Sequence, residues 1–242
     1  MRGVGYPLST CQTTASVYHN KNLEPIKCDL RLSEQLLKEA GFVKKGNELF
    51  DSDGHKVEFG LITNSGNTVR DAVCIHIKEQ LRQLGIKVNY QPIEFNTMLN
   101  RTHTSLDWEA MMLGLSGSRL EPYSGSNIWK SDGRMHEFDQ RLPKEGKTDL
   151  VVTDARPWEK EIDKALDTAA ASFDEKVRTE NYQKAETLAY EHQPFIYIYA
   201  SALLTAANNR IGNYKPTHLG IYYTPKGTMH NLEEIYIKQE GK

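Results

Sequence analysis

The chain has 242 residues, 38% of them hydrophobic and 26% charged, which suits one large or two small globular domains. Its formal net charge of -2 offers no clustered basic surface for nucleic acid, and no run approaches the roughly 20 apolar residues of a spanning helix. The opening MRGVGYPLSTC has no apolar h-region behind its lone Arg and so does not read as a secretory signal. An intracellular protein or a segment of a longer one is the expectation.

Residues 1–28 are rich in Gly, Thr, Ser and Asn without periodicity and read as an irregular lead-in. Cys11 and Cys28, seventeen residues apart, form one candidate disulfide, with free thiols as the alternative. In DLRLSEQLLKEAGF, Leu32, Leu36, Leu37 and Ala40 recur at helical spacing, between Asp29 as N-cap and Gly41 as left-handed terminator. A turn at Asp53-Gly54 predicts that Glu48–Phe50 pairs with the residues on the far side of that turn.

KVEFGLIT then reads as a strand. NTVRDAVCIHIKEQLRQLGI reads as an amphipathic helix with Val69, Ala72, Val73, Ile77, Leu81 and Leu84 on one face, Cys74 in the core and Gly85 at its end. KVNYQPIEF is a second strand, NTMLNRTHTSL a short helix and DWEAMMLGL a third strand. Strand–helix–strand–helix–strand with such crossovers implies a parallel sheet. Residues 116–154 are loop-rich, and residues 143–157 look like an excursion. Two helices come next, the first presenting Trp158, Ile162, Ala165, Leu166, Ala169 and Phe173, the second capped by Asp174. Strand character resumes after Pro194 and again in the terminal LEEIYIK.

Catalytic patterns are thin. His76 and Glu79 form H-x-x-E on a helix, without the second His of a zinc protease, and His76 reads as a half-buried structural residue. His136, Glu137 and Asp139 cluster in MHEFD, which reads as a solvated loop. Neither a nucleophile elbow nor a phosphate-binding GxxxxGK[ST] occurs. The segment TNSGNTVRD is different. It joins a strand end to a helix start capped by Asn67, or by Thr68 with Asp71 completing a capping box. In open parallel sheets, ligands gather beyond the carboxyl strand ends, where helix N-termini present free N–H groups. The same topology brings the residues after the third strand, Ser116–Arg119, to that edge.

In order, D-x-x-x-x-x-x-LLKEAGF, the D-G turn, the strand, the N-x-x-R helix with L-x-x-x-GI, DWEAMMLG, and D-x-x-x-R-x-x-x-Y-x-x-A running into P-x-I-x-x-Y resemble the extracellular solute-binding proteins of ABC transporters, family 5, which serve oligopeptides, dipeptides and nickel. The likeness covers nearly the whole chain, although Ser33 stands where the family usually has Ala. It implies an α/β fold, a periplasmic-binding-protein-like lobe with a mixed, largely parallel sheet flanked by helices. Residues 28–215 would be the second, ligand-binding lobe. Residues 1–27 and 216–242 would be crossover segments to a first lobe that is mostly absent.

The implied protein binds a peptide-like or other small solute and hands it to membrane permease subunits. It would work as a monomer in the periplasm or at the outer membrane face, without catalytic residues, cofactor, metal or nucleic acid. In peptide-binding relatives the loop after the third strand lines the cleft, and its Asp pairs with the peptide's amino group. Ser118 stands at that position here, so the amine anchor is missing, while Arg119 could meet a carboxylate. Leu115, Ser116, Gly117, Ser118 and Arg119 are the expected wall, with Tyr123 and Trp129 as stacking groups or plain packing. Two other classes fit less well: a regulator's ligand-sensing domain, and a small α/β enzyme using His76/Glu79 or His136/Asp139.

Overall fold

A computed structural model describes residues 5–115, 120–139, 155–202, 204–217, 227 and 229–238. Its elements are β1 (Gly5–Pro7), α1 (Leu30–Glu39), β2 (Val43–Lys45), β3 (Glu48–Phe50), β4 (Glu58–Asn64), α2 (Thr68–Gln83), β5 (Lys87–Ile93), α3 (Phe95–Asn100), β6 (Ala110–Met111), α4 (Ser126–Trp129), α5 (Pro157–Ala170), α6 (Glu175–His192), β7 (Tyr199–Ser201), β8 (Ile211–Gly212) and β9 (Tyr236–Ile237). They divide into a sheet unit, residues 27–115 with 139–153, and a helical unit, residues 1–26, 116–138 and 154–242.

In the sheet unit the strand order is β5-β4-β6, all parallel, with α2 and α3 as the crossovers. This is the predicted alternation. Leu61, Ile62 and Thr63 are buried in succession, as expected for a central parallel strand covered on both faces. Cys74 is wholly buried under Leu61 and Val88, and burial lifts its thiol to about 11.

The helix faces are narrower than the periodicity suggested. Val69 and Ala72 lie exposed on α2, because a three-stranded sheet covers only part of the helix. On α1, Asp29 caps as predicted, accepting the N–H groups of Arg31 and Leu32. Yet only Leu30 and Leu37 reach the core, while Leu32 and Leu36 remain about half exposed. Glu48–Phe50 pairs backward with Val43–Lys45, and only a single bridge, Phe50 to Lys56, forms across the Asp53-Gly54 turn.

Gly85 joins α2 to this hairpin. Its φ is +85°, and its carbonyl accepts the Leu49 N–H at 2.9 Å. An added Cβ would stand 2.8 Å from Leu49 N and 2.9 Å from the Glu48 carbonyl carbon.

The helical unit packs α5 on α6 through Ile162, Ala165, Leu166, Ala169, Tyr182, Ala185 and Ala189, with Tyr18 completing the cluster. Phe173, predicted on the buried face, is fully exposed; α5 ends at Ala170, so the helical stripe stops before it. MHEFD is not a solvated loop. Glu137–Asp139 is a helical turn in which His136 and Glu137 are buried, and His136 Nδ1 donates to the Ile128 carbonyl at 3.1 Å. Burial raises the Glu137 carboxyl above its ordinary range.

The lead-in is also more structured than its composition suggests. β1 pairs antiparallel with β7, the one strand among the described residues between Pro194 and Asn209. β8 pairs with β9 in the terminal segment. Glu186, 2% exposed on α6, holds the lead-in. It accepts the Thr10 hydroxyl, His19 Nδ1–H at 2.7 Å and the Asn20 N–H at 2.7 Å. Cys11 and Cys28 are free and exposed.

Two stability outcomes are expected. Gly54 (φ +86°) has open space where a Cβ would go, so Gly54→Ala bears only the left-handed cost of about 1–2 kcal/mol. Gly85→Ala adds a backbone collision and should cost clearly more in urea melts; equal losses would refute the packing at Gly85. Glu186→Ala strands two buried donors, on Thr10 and His19, at about 1–3 kcal/mol each, and a half-buried third on Asn20, so it should cost at least about 2 kcal/mol. A loss under about 1 kcal/mol would show that the network carries no stability.

Candidate functional site

The carboxyl edge of the parallel sheet is polar because its strands end on side chains that bond one another. Thr63 Oγ1 donates to the Met112 carbonyl at 2.8 Å, which ties the end of β4 to the chain leaving β6. Ser65 N–H donates to the Ile93 carbonyl at 2.7 Å, so the turn after β4 tracks the end of β5. Gly66, with φ +82°, makes that turn, and Asn67 caps α2 by accepting the Arg70 N–H at 3.0 Å. The cap is Asn67 and not Thr68.

Arg70 turns back from the first helical turn over the strand ends. Its Nη1 donates to Asn64 Oδ1, and its Nη2 lies so close to Gly114 that a Cβ there would approach to 2.8 Å. Asp71, also in the first turn, favours the helix dipole and accepts the Tyr90 hydroxyl. Burial, and then this hydrogen bond, push the Tyr90 phenol above its usual range.

The first N–H groups of a helix have no intrahelical acceptors. The Asn67 side chain takes that of Arg70 and the Asn67 carbonyl that of Asp71, and those of Thr68 and Val69 have no acceptor among the described residues. A guanidinium beside open N–H groups presents positive potential at the sheet edge. Such an edge suits carbonyl, carboxylate or other electron-rich groups.

The predicted wall residues fall in three places. Leu115 belongs to the sheet unit, just beyond Gly114, and is exposed. Ser116, Gly117, Ser118 and Arg119 lie outside the described residues. Tyr123 and Trp129 belong to the helical unit. Tyr123 donates to Asp167 Oδ1 at 3.1 Å, and Lys130, also bonded to Asp167, holds that carboxyl below its ordinary range. Trp129 meets Phe195 edge-on at 5.4 Å and Phe138 at 6.2 Å, which is a packing role. Arg70 escaped the sequence-based candidates, although N-x-x-R signals it: an Arg three residues after an N-cap can fold back over the strand end.

The D-x-x-x-R-x-x-x-Y-x-x-A pattern also gains a physical meaning. Asp174 caps α6, Ala185 packs in the core, and Arg178 and Tyr182 both donate to the Glu121 carboxylate. Arg178 further donates to Tyr18 Oη at 3.1 Å and to the Ala169 carbonyl at 2.9 Å. The helix thereby fixes the chain at Glu121-Pro122, shortly after residues 116–119.

The enzyme candidates are dispersed. His76 is exposed on α2, and Glu79 pairs with Arg82 at 3.0 Å. His136 is buried in the helical unit, its Nε2 lying 3.5 Å from Glu159 Oε1. Among the described residues, one group of three possible metal ligands, Asp51, Asp53 and His55, sits on the exposed hairpin turn. Asp51 there accepts the N–H groups of Asp53 and His55, which is sufficient reason for the cluster. No helix among the described residues is long and apolar enough to cross a membrane.

A three-stranded parallel sheet with a polar carboxyl edge, its crossovers helical, defines an α/β domain. The family model for bacterial extracellular solute-binding proteins, family 5 (middle), matches residues 1–137, and the chain belongs to this family. It is 27% identical over 207 residues to the oligopeptide-binding protein AppA of Bacillus subtilis, covering 85% of this chain and 34% of that protein. A probable ABC transporter-binding protein of Deinococcus radiodurans is 27% identical over 233 residues, covering 88% and 36%. The chain thus spans about a third of the length of these relatives.

The solved structure of B. subtilis AppA with a nonapeptide superposes with a TM-score of 0.70 at 23% identity, covering 98% of this chain and 44% of AppA. NikA of Brucella suis with Fe(III)-EDTA superposes at 0.68 and 18% identity, covering 83% and 38%. At these identities the likeness is one of fold.

The Glu121 clamp has a pH signature. Burial works to raise its carboxyl, but hydrogen bonds from Tyr182, the Tyr123 N–H and Arg178 outweigh it and the net shift is downward. A carboxyl lowered in the folded state contributes stability that is present above its unfolded pKa and lost as pH falls through the folded one. The urea midpoint should therefore fall more steeply with acid in the natural chain than in Glu121→Gln. Parallel profiles would show that the clamp does not hold the carboxylate.

Proposed function

We propose that this chain contributes the ligand-contacting lobe of an ABC importer's solute-binding component. The solute is a peptide-like or other small molecule, held in a cleft between lobes that close around it and passed to membrane permease subunits. The protein works as a monomer in the periplasm or on the outer face of the membrane. In this reading, residues 28–215 form the lobe, while residues 1–27 and 216–242 cross to the other lobe.

The family match over residues 1–137 carries this reading. The relatives support its class of ligand, since one is an oligopeptide-binding protein and another was solved with a metal chelate. The exposed Tyr6, Val17 and Ile26 near one end and Leu232, Tyr236 and Ile237 near the other support crossover segments that are covered in a longer protein. Binding and release need no covalent step. Arg70 and the open N–H groups of α2 favour ligand carbonyls or a carboxylate at the sheet edge, and with Ser118 where relatives carry the amine-pairing acid, Arg119 favours a carboxylate.

Calorimetry with a peptide and its C-terminal amide tests this reading. In the longer protein, Arg119→Ala should weaken the free-carboxylate peptide by about tenfold, the worth of one charge-assisted hydrogen bond, and leave the amide unchanged. A uniform effect, or none, reduces Arg119 to surface cover. The 242-residue chain alone should bind the same peptide no better than millimolar; micromolar binding would contradict the two-lobe reading.

A further inference from the structure

The helical unit contains a second concavity, separate from the sheet edge and built entirely from the lead-in. It encloses about 340 Å³, within the range of small-molecule sites. Its apolar surface comes from Leu8, Leu23 and Pro25, its charged groups from Lys21 and Glu24, and His19 also lines it.

The walls are held in place. Thr10, His19 and Asn20 are bonded to Glu186, Asn20 Nδ2 donates to Thr187 Oγ1 at 3.2 Å, and Tyr190 Oη donates to the Glu24 carbonyl at 3.0 Å. Three residues of one rigid helix therefore fix the backbone around the cleft. Preorganisation of this kind lowers the entropic cost of binding.

His19 is oriented by the same network. Its Nδ1 donates to the Glu186 carboxylate at 2.7 Å, which fixes the angle of the ring. His19 keeps 7% of its surface, and it is one of the residues that line this cleft. A carboxylate behind a histidine fixes tautomer and ring angle in functional sites. Lys21 and Glu24 have no ion-pair partner among the described residues, and no group of three metal ligands among them includes His19 or Glu24. The cleft thus offers one ammonium, one carboxylate, one oriented imidazole and an apolar surface, without the density of ligands that a cation needs.

We propose that this cleft binds a small zwitterion of amino-acid size. Glu24 receives its ammonium, Lys21 receives its carboxylate, and Leu8, Leu23 and Pro25 take an apolar side chain beside the His19 ring. The site does not use the sheet edge, and it lies in the segment that the importer reading assigns to the crossover.

The experiment tracks the His19 imidazole ¹⁵N resonances of the 242-residue chain by NMR during titration with L-leucine, isoamylamine and 4-methylpentanoate. Leucine should shift Nε2 saturably in the millimolar range, and each half-molecule should bind roughly two- to fivefold more weakly, as befits partly exposed charge contacts. Glu24→Gln should weaken leucine and isoamylamine but not 4-methylpentanoate, and Lys21→Met should weaken leucine and 4-methylpentanoate but not isoamylamine. Both side chains are exposed, so neither change threatens the fold. An Nε2 signal unmoved by leucine, or leucine binding unchanged in the Lys21→Met/Glu24→Gln double variant, would overturn the proposal and leave the importer reading untouched.

Discussion

A buried carboxylate organises the helical unit. Burying Glu186 without partners would cost several kcal/mol, and the chain meets that cost with a hydroxyl, an imidazole N–H and a backbone N–H drawn from residues more than 160 positions away. Once those donors converge on α6, the rest of the lead-in has little freedom. Tyr18 is set against Tyr182 at 4.8 Å between ring centroids, and residues 8–25 are shaped into a cleft. Glu186 therefore does for residues 8–25 what a hydrophobic stripe does for a helix.

That mechanism also marks where sequence reading succeeds and where it stops. The sheet unit was legible because apolar periodicity switches cleanly between strand and helix. Gly85 and Asn67 punctuate it, and Cys74 falls on the covered face. The misreadings share a cause. Val69, Ala72, Leu32, Leu36 and Phe173 have the right spacing for burial, but spacing says nothing of how much sheet or helix is available to cover them. Conversely, His136, Glu137 and Glu186 look like surface residues because polarity is local information. The partners that make their burial tolerable come from distant parts of the chain.

The family pattern was legible as a string before its physics was visible. Arg178 and Tyr182 in D-x-x-x-R-x-x-x-Y-x-x-A grip Glu121, and Asn67 and Arg70 in N-x-x-R build the sheet edge. In both cases the motif residues hold a segment next to the expected ligand wall. Arg70 was within reach of the sequence, since cap-plus-three spacing returns a long cation over the strand end. Glu121 was not, because nothing around a Glu-Pro pair announces a partner 57 residues downstream. Of the expected wall itself, Leu115, Tyr123 and Trp129 have described positions, and the last two are engaged in packing and hydrogen bonds within the helical unit.

The central claim is that this chain is one part of a solute receptor, and the most direct measurement is the sequence of the full reading frame that encodes Met1–Lys242. The receptor reading predicts an export or lipoprotein signal upstream, followed by a further stretch of lobe-like α/β sequence. A helix-turn-helix upstream would make the domain a regulator's sensor, and a reading frame confined to these 242 residues would contradict the two-lobe receptor.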